Sequence, residues 1–299
     1  MQSNINTTKS KTIYVPRIND ELNDFFSMAL IWKQATVNND NIIFDFTDCA
    51  FLRPNAVVFL GGITRLIQAS GRTVHLSLST MQQHVKMNLL QNGFASMMGA
   101  ETEPWQGNSI PYREYVEPNE DIVLKYLTDD WLGRGWINVS KNLKNEIAGR
   151  MWEIFANAFE HSLSEIGLVC CGQYFKNNKE LVLAVADFGV GIPSNVRAFN
   201  AQEDIEPKDA MKWAFTKGNT TSKTAWPRGV GLDLLKEFVR LSKGSLAIYS
   251  HGGYAYIDED SELYDNHSAF FGCTVVQVTL RCDDNYYCLS TELDSAQYF

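Results

Sequence analysis

The sequence has few of the features that mark secreted, membrane or nucleic-acid-binding proteins. Its first residues lack the apolar core of a signal peptide, and no apolar run approaches the ~18 residues of a membrane-spanning helix. Acidic residues outnumber basic residues by 35 to 26, which gives a net charge of -9. Because a protein that coats a phosphate backbone carries the opposite charge, nucleic acid is not an expected partner. We therefore expect a cytoplasmic protein that does not contact a membrane.

Cysteine is present, but without the spacings of a metal site or a disulfide framework. None of the six cysteines, at positions 49, 170, 171, 273, 282 and 288, belongs to a C-x-x-C pair. Several of them lie in apolar stretches with strand-like composition. Buried free thiols in a reducing compartment are the favoured interpretation, and disulfides or metal ligands are the alternative.

The first third of the chain alternates predicted strands and helices. Short, apolar, β-branched stretches predict the strands, and apolar residues at helical spacing predict the helices. The predicted strands are 12–16, 41–46 and 73–78, and the predicted helices are 20–32, 56–68 and 85–90. Pro54 suits the first position of the second helix, and Gly71 suits its end. This order is typical of a small α/β layer.

The same stretch resembles a STAS domain, the module of bacterial anti-anti-sigma factors. The resemblance covers roughly residues 10–100 and rests on a strand, the turn F-D-F-T-D-C-A-F-L, a helix, G-R, a strand and L-L-Q-N-G-F. In that family the loop before the long helix carries a phosphorylatable serine. Pro54 and Asn55 stand there in this chain, and neither can accept phosphate. This difference argues against switching by phosphorylation in the usual way, and it leaves the domain as a docking or sensing module or simply as additional packing.

Residues 100–120 contain three prolines and predict an irregular connection, and residues 121–132 predict a helix. The strands predicted after this helix are 168–175, 181–186, 244–249, 254–257 and 273–280. Residues 194–228 are polar, with at most one predicted helix near 209–215, and residues 229–242 predict another helix. We expect an α/β sandwich with helices on one face of a mostly antiparallel sheet.

An amphipathic helix predicted from Ser140 to His161 is central to this second part. Apolar side chains recur along it at helical spacing, namely Leu143, Ile147, Met151, Ile154 and Ala158. Glu153, Asn157 and His161 are each four residues from the next, so they share a different face. Such a triplet alone is typical of a solvated polar stripe. The motifs that follow it favour a functional role.

Two glycine-rich motifs follow the helix. D-F-G-V-G-I-P begins at Asp187, directly after a predicted strand. A carboxylate only accepts hydrogen bonds, so Asp187 suits a donor such as the exocyclic amine of adenine, although a plain turn would also explain the motif. R-G-V-G-L begins at Arg228 and leads into a predicted helix, whose free N–H groups suit an anion. The sequence has no G-x-x-x-x-G-K-[ST], so a P-loop is excluded.

Four segments together resemble, in order and spacing, the sequence boxes of the GHKL superfamily. They are E-I-F-A-N-A-F-E-H, D-F-G-V-G-I-P, R-G-V-G-L and G-C-T-V-V-Q-V. This is the ATPase fold of gyrase B, MutL, the heat-shock chaperone, histidine kinases and anti-sigma kinases. The resemblance covers about residues 135–282, and T-K-G-N-T-T-S-K together with N-A-x-x-H is most similar to the anti-sigma and histidine-kinase-like branch.

The resemblance implies roles for individual residues. Asn157 would bind Mg²⁺ through its amide oxygen, Asp187 would accept a hydrogen bond from adenine, and Thr274 would support the adenine site. Glu153 would be the catalytic base that orients the attacking water. The other implied nucleotide-binding residues are Gly189, Gly191, Ile192, Lys217, Thr221, Ser222, Gly229, Val230, Gly231 and Leu232. Residues 194–228 would form the ATP lid, and a capping or packing role is favoured for His161.

The predicted fold class is α/β, with a small STAS-like domain followed by a GHKL-type two-layer α/β sandwich that carries an ATP lid. The predicted organisation is a STAS-like domain over 1–105, a linker and connecting helix over 106–134, a GHKL domain over 135–283 and a C-terminal tail over 284–299. The implied cofactors are ATP and Mg²⁺. The implied function is that of an ATPase acting as a nucleotide-dependent switch for a protein partner. Homodimer formation is a further possibility. The alternatives are a serine/threonine kinase acting in trans and an ATP-binding scaffold without hydrolysis.

Overall fold

The computed structural model describes residues 9–216, 218–219, 236, 239–240 and 242–292, and the structural statements that follow concern these residues. The strands are β1 (Ser10–Tyr14), β2 (Asn41–Asp45), β3 (Val74–Leu76), β4 (Ser109–Tyr115), β5 (Leu168–Phe175), β6 (Glu180–Asp187), β7 (Ser245–Ser250), β8 (Gly253–Asp258), β9 (Glu262–Asn266) and β10 (Thr274–Arg281). The α-helices are α1 (Asp24–Thr36), α2 (Pro54–Ala69), α3 (Gln83–Gln91), α4 (Phe94–Met97), α5 (Glu120–Lys125), α6 (Lys141–His161), α7 (Gly191–Asn200) and α8 (Pro207–Ala214). A π-helical turn, Tyr126–Trp131, continues α5.

The strands form two sheets of different kinds. The small sheet has the order β1-β2-β3, and its strands are parallel. The large sheet has the order β4-β5-β6-β10-β7-β8-β9, and every neighbouring pair is antiparallel. The prediction of a mixed α/β fold with a mostly antiparallel sheet in the second part is confirmed. None of the described helices is long and apolar enough to cross a membrane.

Both faces of the large sheet are covered. Because side chains alternate along a strand, Val275 and Val276 of β10 point into two different hydrophobic clusters. One cluster includes Met151 of α6, on the face that carries the helices of the second part. The other includes Phe59 of α2, so the three-stranded unit (β1–β3 with α1–α4) covers the opposite face. The prediction placed helices on one face of the sheet only, whereas α2 covers the other face as well.

Helix α2 packs directly on β5 and β6, and two glycines permit the close approach. A Cβ atom on Gly61 would lie 2.1 Å from the hydroxyl oxygen of Tyr112, and one on Gly62 would lie 1.9 Å from the ring of Phe188. Glycine within a helix costs about 0.5–1 kcal/mol relative to alanine. The packing of these two aromatic rings against the helix backbone offsets that cost.

Ion pairs also join the three-stranded unit to the large sheet. Arg65 of α2 donates through Nε to both carboxylate oxygens of Glu114, at 2.8 and 2.9 Å. Arg53 pairs with Asp20 and lies 3.3 Å from Glu180 of β6. Burial raises the pKa of Asp20 to about 6, although the charge of Arg53 acts in the opposite direction. These pairs lie where the three-stranded unit meets the large sheet.

Three expectations for individual segments need correction. The stretch 100–120 is not wholly irregular, because 109–115 forms the edge strand β4, which tolerates Pro111 near a shift in register with β5. The stretch 194–228 contains more than one helix, because α7 extends to Asn200 and α8 follows at Pro207–Ala214. Strand β9 was not predicted, because its exposed residues Glu262–Asn266 lack the apolar alternation of a half-buried strand.

The cysteines are mostly buried, and the C-terminal segment contacts the start of α6. All six cysteines are free, and every one except Cys288 is buried, which confirms that they are free thiols. Residues 284–292, within the predicted tail, return to the start of α6. The N–H of Ser140 donates to the carbonyl of Tyr287 at 2.8 Å, and the Ser140 hydroxyl donates to Glu292 at 2.6 Å.

Candidate functional site

The central helix begins where the sequence predicts. The hydroxyl of Ser140 accepts a hydrogen bond from the N–H of Leu143 at 3.0 Å, which is the geometry of an N-cap. The helix buries Ile147, Met151 and Ile154 against the large sheet. Its apolar stripe is therefore confirmed, and the stripe fixes the direction of the polar face.

Glu153 and Asn157, two of the three residues on the polar face of α6, are accessible to solvent. The side chain of Glu153 is 38% exposed, and its Oε1 lies 3.4 Å from Nη1 of Arg150. Arg150 also donates to Glu146 at the shorter distance of 2.5 Å. Asn157, one turn after Glu153, is exposed. Because an exposed ion pair at this distance contributes little to stability, the contact with Arg150 constrains the position of the Glu153 side chain only weakly.

The segment from Asp187, the last residue of β6, to Gly191, the first residue of α7, is called the 187–191 loop, and it lies against the C-terminal end of α6. The N–H of Val190 donates to the carbonyl oxygen of Ser162 at 2.7 Å. A Cβ atom on Gly189 would lie 1.8 Å from that same oxygen, so the contact requires glycine. The amide of Asn195 also donates to the carbonyl of His161 at 2.9 Å. The D-F-G-V-G motif is therefore fixed to the helix that carries Glu153 and Asn157.

Three polar side chains form a row across the ends of β6, β10 and β7. Thr274 is the register partner of both Asp187 and Ser250. The hydroxyls of Thr274 and Ser250 lie 2.8 Å apart, and Ser250 accepts the N–H of Ile192 at 2.9 Å. The N–H of Gly189 donates to Oδ1 of Asp187 at 3.1 Å. The structure thus brings together four residues predicted from the sequence with one, Ser250, that was not.

Asp187 is the electrostatically unusual member of this row. It is 7% exposed, and burial raises its pKa to about 7, although the hydrogen bond from Gly189 acts in the opposite direction. Among the described residues no hydrogen bond reaches its second oxygen, Oδ2, and no cation pairs with it. Buried acceptors with a spare lone pair suit a ligand that donates an N–H group.

The turn after β7 closes the 187–191 loop from the other side. The ring of His251 donates through Nε2 to the carbonyl oxygen of Gly189 at 2.9 Å. Gly191 has a φ of +78°, and a Cβ atom on it would lie 2.4 Å from Cδ2 of His251. Burial lowers the pKa of His251. No local pattern indicates His251 or Ser250, because only the strand order brings β7 next to β10.

The predicted phosphate-binding residues lie outside the described residues. They are Lys217, Thr221, Ser222, Gly229, Val230, Gly231 and Leu232. Lys236, Val239 and Arg240, within the predicted helix 229–242, are helical. The described site therefore consists of the row at Asp187, the 187–191 loop and the polar face of α6. Within the described part of the chain, no group of three or more His, Cys, Asp or Glu side chains could hold a metal ion.

A cavity of about 250 Å³ lies on a different side of α6. Trp152, Ala156 and Phe159 line it, together with Val116 after β4 and Leu163 after α6. None of the candidate site residues belongs to its lining. Ser162 also lines the cavity, and its carbonyl accepts the N–H of Val190, so the cavity adjoins the site at the C-terminal end of α6.

No protein-family model matches this chain, and no curated protein matches it.

Proposed function

We propose that the chain binds Mg-ATP in its second part and acts as a nucleotide-dependent switch for a protein partner. The observation that carries the proposal is the buried carboxylate of Asp187, whose Oδ2 accepts no hydrogen bond from any of the described residues. It lies beside the hydroxyls of Thr274 and Ser250 and against the end of α6. The resemblance of the four sequence motifs to GHKL proteins supports the same reading.

Asp187 would recognise the adenine ring. The exocyclic amine of adenine is a donor, and an ionised carboxylate is an acceptor only, so the pair is complementary. Hydrogen bonds to charged groups contribute about 1.5–3 kcal/mol, more than neutral ones. Thr274 and Ser250 add hydroxyls that can both donate and accept, and Gly189 keeps the loop close to α6.

The polar face of α6 would serve the phosphate end. Asn157 offers an amide oxygen, the type of ligand that Mg²⁺ accepts while keeping several waters. Bound Mg²⁺ would neutralise charge that develops on the transferred phosphoryl group. Glu153 lies one turn before Asn157, and its carboxylate could accept or orient the proton of a water or a hydroxyl. Its long, exposed contact with Arg150 leaves it free for this role.

Substitution of Glu153 tests the chemistry. Glu153→Ala should keep ATP affinity within a few-fold and lower turnover by about 10²-fold, because the carboxylate would act in the transition state. Asn157→Ala should also weaken the Mg-dependent part of ATP binding. Glu146→Ala is the matched control, since Glu146 pairs with the same Arg150 on the same helix. A loss of turnover in Glu146→Ala as large as in Glu153→Ala would contradict the catalytic role.

The fate of the γ-phosphate separates the three activities that stay open. Purified protein would be incubated with ATP labelled on the γ-phosphate, alone and with candidate protein acceptors. Label released as phosphate supports the hydrolysing switch, and label transferred to a serine or threonine of an acceptor supports a kinase acting in trans. Bound ATP whose label stays on the nucleotide supports a scaffold without hydrolysis. A chain that binds no ATP would refute the proposal.

A further inference from the structure

The residues of the candidate site and the residues behind them alternate along the same strands. Asp187, Thr274 and Ser250 face the helices of the second part. Their neighbours Phe188, Cys273 and Tyr249 belong to the hydrophobic cluster shared with the three-stranded unit. Each polar side chain of the row is therefore one residue from a side chain that packs against the three-stranded unit.

One side chain of the three-stranded unit, Trp32 of α1, contacts the chain beside both Asp187 and Thr274. Its ring stacks on Phe188, with centroids 6.1 Å apart and planes at 29°. A Cβ atom on Gly272 would lie 2.6 Å from Cζ2 of Trp32, so this ring also touches the segment that leads into Thr274. The two segments are far apart in sequence, and they share this contact.

Helix α2 holds Phe188 from the other side. Phe188 is 7% exposed, and its ring stacks on Phe59 with centroids 6.3 Å apart. The ring lies so close to Gly62 that a Cβ atom there would come within 1.9 Å of it. Phe188 thus sits among Trp32, Phe59 and Gly62, directly next to Asp187 in the chain. A packed position of this kind cannot shift without moving its neighbours.

We infer that Trp32 is a positioning residue for the nucleotide site, and that through it the three-stranded unit controls where the carboxylate of Asp187 lies. The nature of the ligand rests on the proposed function, whereas the packing between the two units does not. Hydrogen bonds weaken steeply with distance and angle, so a displacement of less than 1 Å at Asp187 is enough to weaken binding. The three-stranded unit would then set the affinity of the site without touching the nucleotide.

Substitutions at Trp32 test the positioning role. Trp32→Ala removes the ring between the two segments, and Trp32→Phe restores part of it. Leu30→Ala is the matched control, because Leu30 is on the same helix and is 57% exposed. We expect Trp32→Ala to weaken ATP binding by about tenfold or more, Trp32→Phe to recover most of the loss, and Leu30→Ala to match the parent. Trp32→Leu replaces Trp32→Ala if the latter does not fold.

Amide hydrogen exchange supplies a measurement that needs no nucleotide. The N–H of Gly189 donates to Asp187, and the N–H of Ile192 donates to Ser250, so both amides report on the order of the row. In Trp32→Ala these two amides should exchange about tenfold faster or more, while amides in the middle of β5 keep the parent's rate. Uniform acceleration of all amides would show a purely structural role and overturn the inference.

A second perturbation moves Phe188 without removing any ring. Gly62→Ala adds a methyl group against Phe188, whereas Gly149→Ala adds one on α6 where nothing lies within 4 Å. Faster exchange at Gly189 in Gly62→Ala, but not in Gly149→Ala, supports the inference. Unchanged exchange at Gly189 in both Gly62→Ala and Trp32→Ala would overturn it. If the parent binds no ATP, the proposed function fails, and the exchange data still decide whether the units are coupled.

Discussion

The ionisation of Asp187 should make ATP binding depend on pH near neutrality. Burial raises the pKa of this carboxyl to about 7, so in the free protein the charged and neutral forms coexist at that pH. The amine of adenine donates a hydrogen bond, and the charged carboxylate is the stronger acceptor. Binding should therefore favour the charged form and release a proton from the fraction of molecules that carry one.

The size of the effect follows from the pKa. If only the charged form binds, the affinity should be about twofold below its plateau at pH 7 and about tenfold below it at pH 6. Above about pH 8 the affinity should be nearly constant. Asp187→Asn removes the titrating group and should weaken binding by about tenfold or more, because a charge-assisted bond is lost.

Calorimetric titration of the parent and of Asp187→Asn between about pH 6 and pH 8 measures both effects. Two buffers of different ionisation enthalpy at each pH give the number of protons released. The phosphates of ATP also titrate in this range, and they do so equally with both proteins, so the difference between the two curves isolates Asp187. Identical pH dependence in the parent and in Asp187→Asn would refute the adenine assignment.

Three further predictions concern the fold. Burial raises the pKa of Asp20 from 3.8 to about 6, so protonation of Asp20 stabilises the folded state at low pH. The free energy of unfolding should therefore fall as the pH rises through about 6. Asp20→Asn should flatten this fall, as unfolding in urea would measure. Residues 1–105 expressed alone should bind a hydrophobic dye and self-associate, because α2 then exposes the face that packs on β5 and β6. A monodisperse fragment that unfolds cooperatively would instead support the autonomous domain predicted from the sequence. Cys288 should react with a thiol reagent well before the five buried cysteines, as peptide mapping of briefly labelled protein would test.

Periodicity alone was enough to predict the elements that carry the site. The apolar spacing of α6 placed its boundaries and its polar face, and the apolar runs placed β5 and β6 to within a residue. These elements are long and bury one face or both, so the spacing of apolar residues within each element indicates which positions are buried. Strand β4 escaped prediction because proline argues against a strand unless the strand lies at an edge, and its place in the sheet depends on contacts with β5.

Other parts of the site depend on contacts between distant segments. Ser250 and His251 join the site because β10 pairs with both β6 and β7, and no local pattern gives that order. Helix α7 starts within the predicted loop motif, with Pro193 in its first turn, where the missing N–H is tolerated. The motif D-F-G-V-G was therefore located correctly, but the helix that it opens was not predicted.

Gly61 and Gly62 lie at the contact between the three-stranded unit and the second part of the chain. Both glycines lie inside a helix, where each costs about 0.5–1 kcal/mol relative to alanine. The sequence alone offers no compensation, but in the structure the side chains of Tyr112 and Phe188 occupy the space that a Cβ atom would fill. A nucleotide-dependent switch requires contacts that respond to the state of its site and reach another surface. In the proposed function, the contact of Gly62 with Phe188, next to Asp187, would be a route of that kind, and it would end in helix α2 of the three-stranded unit.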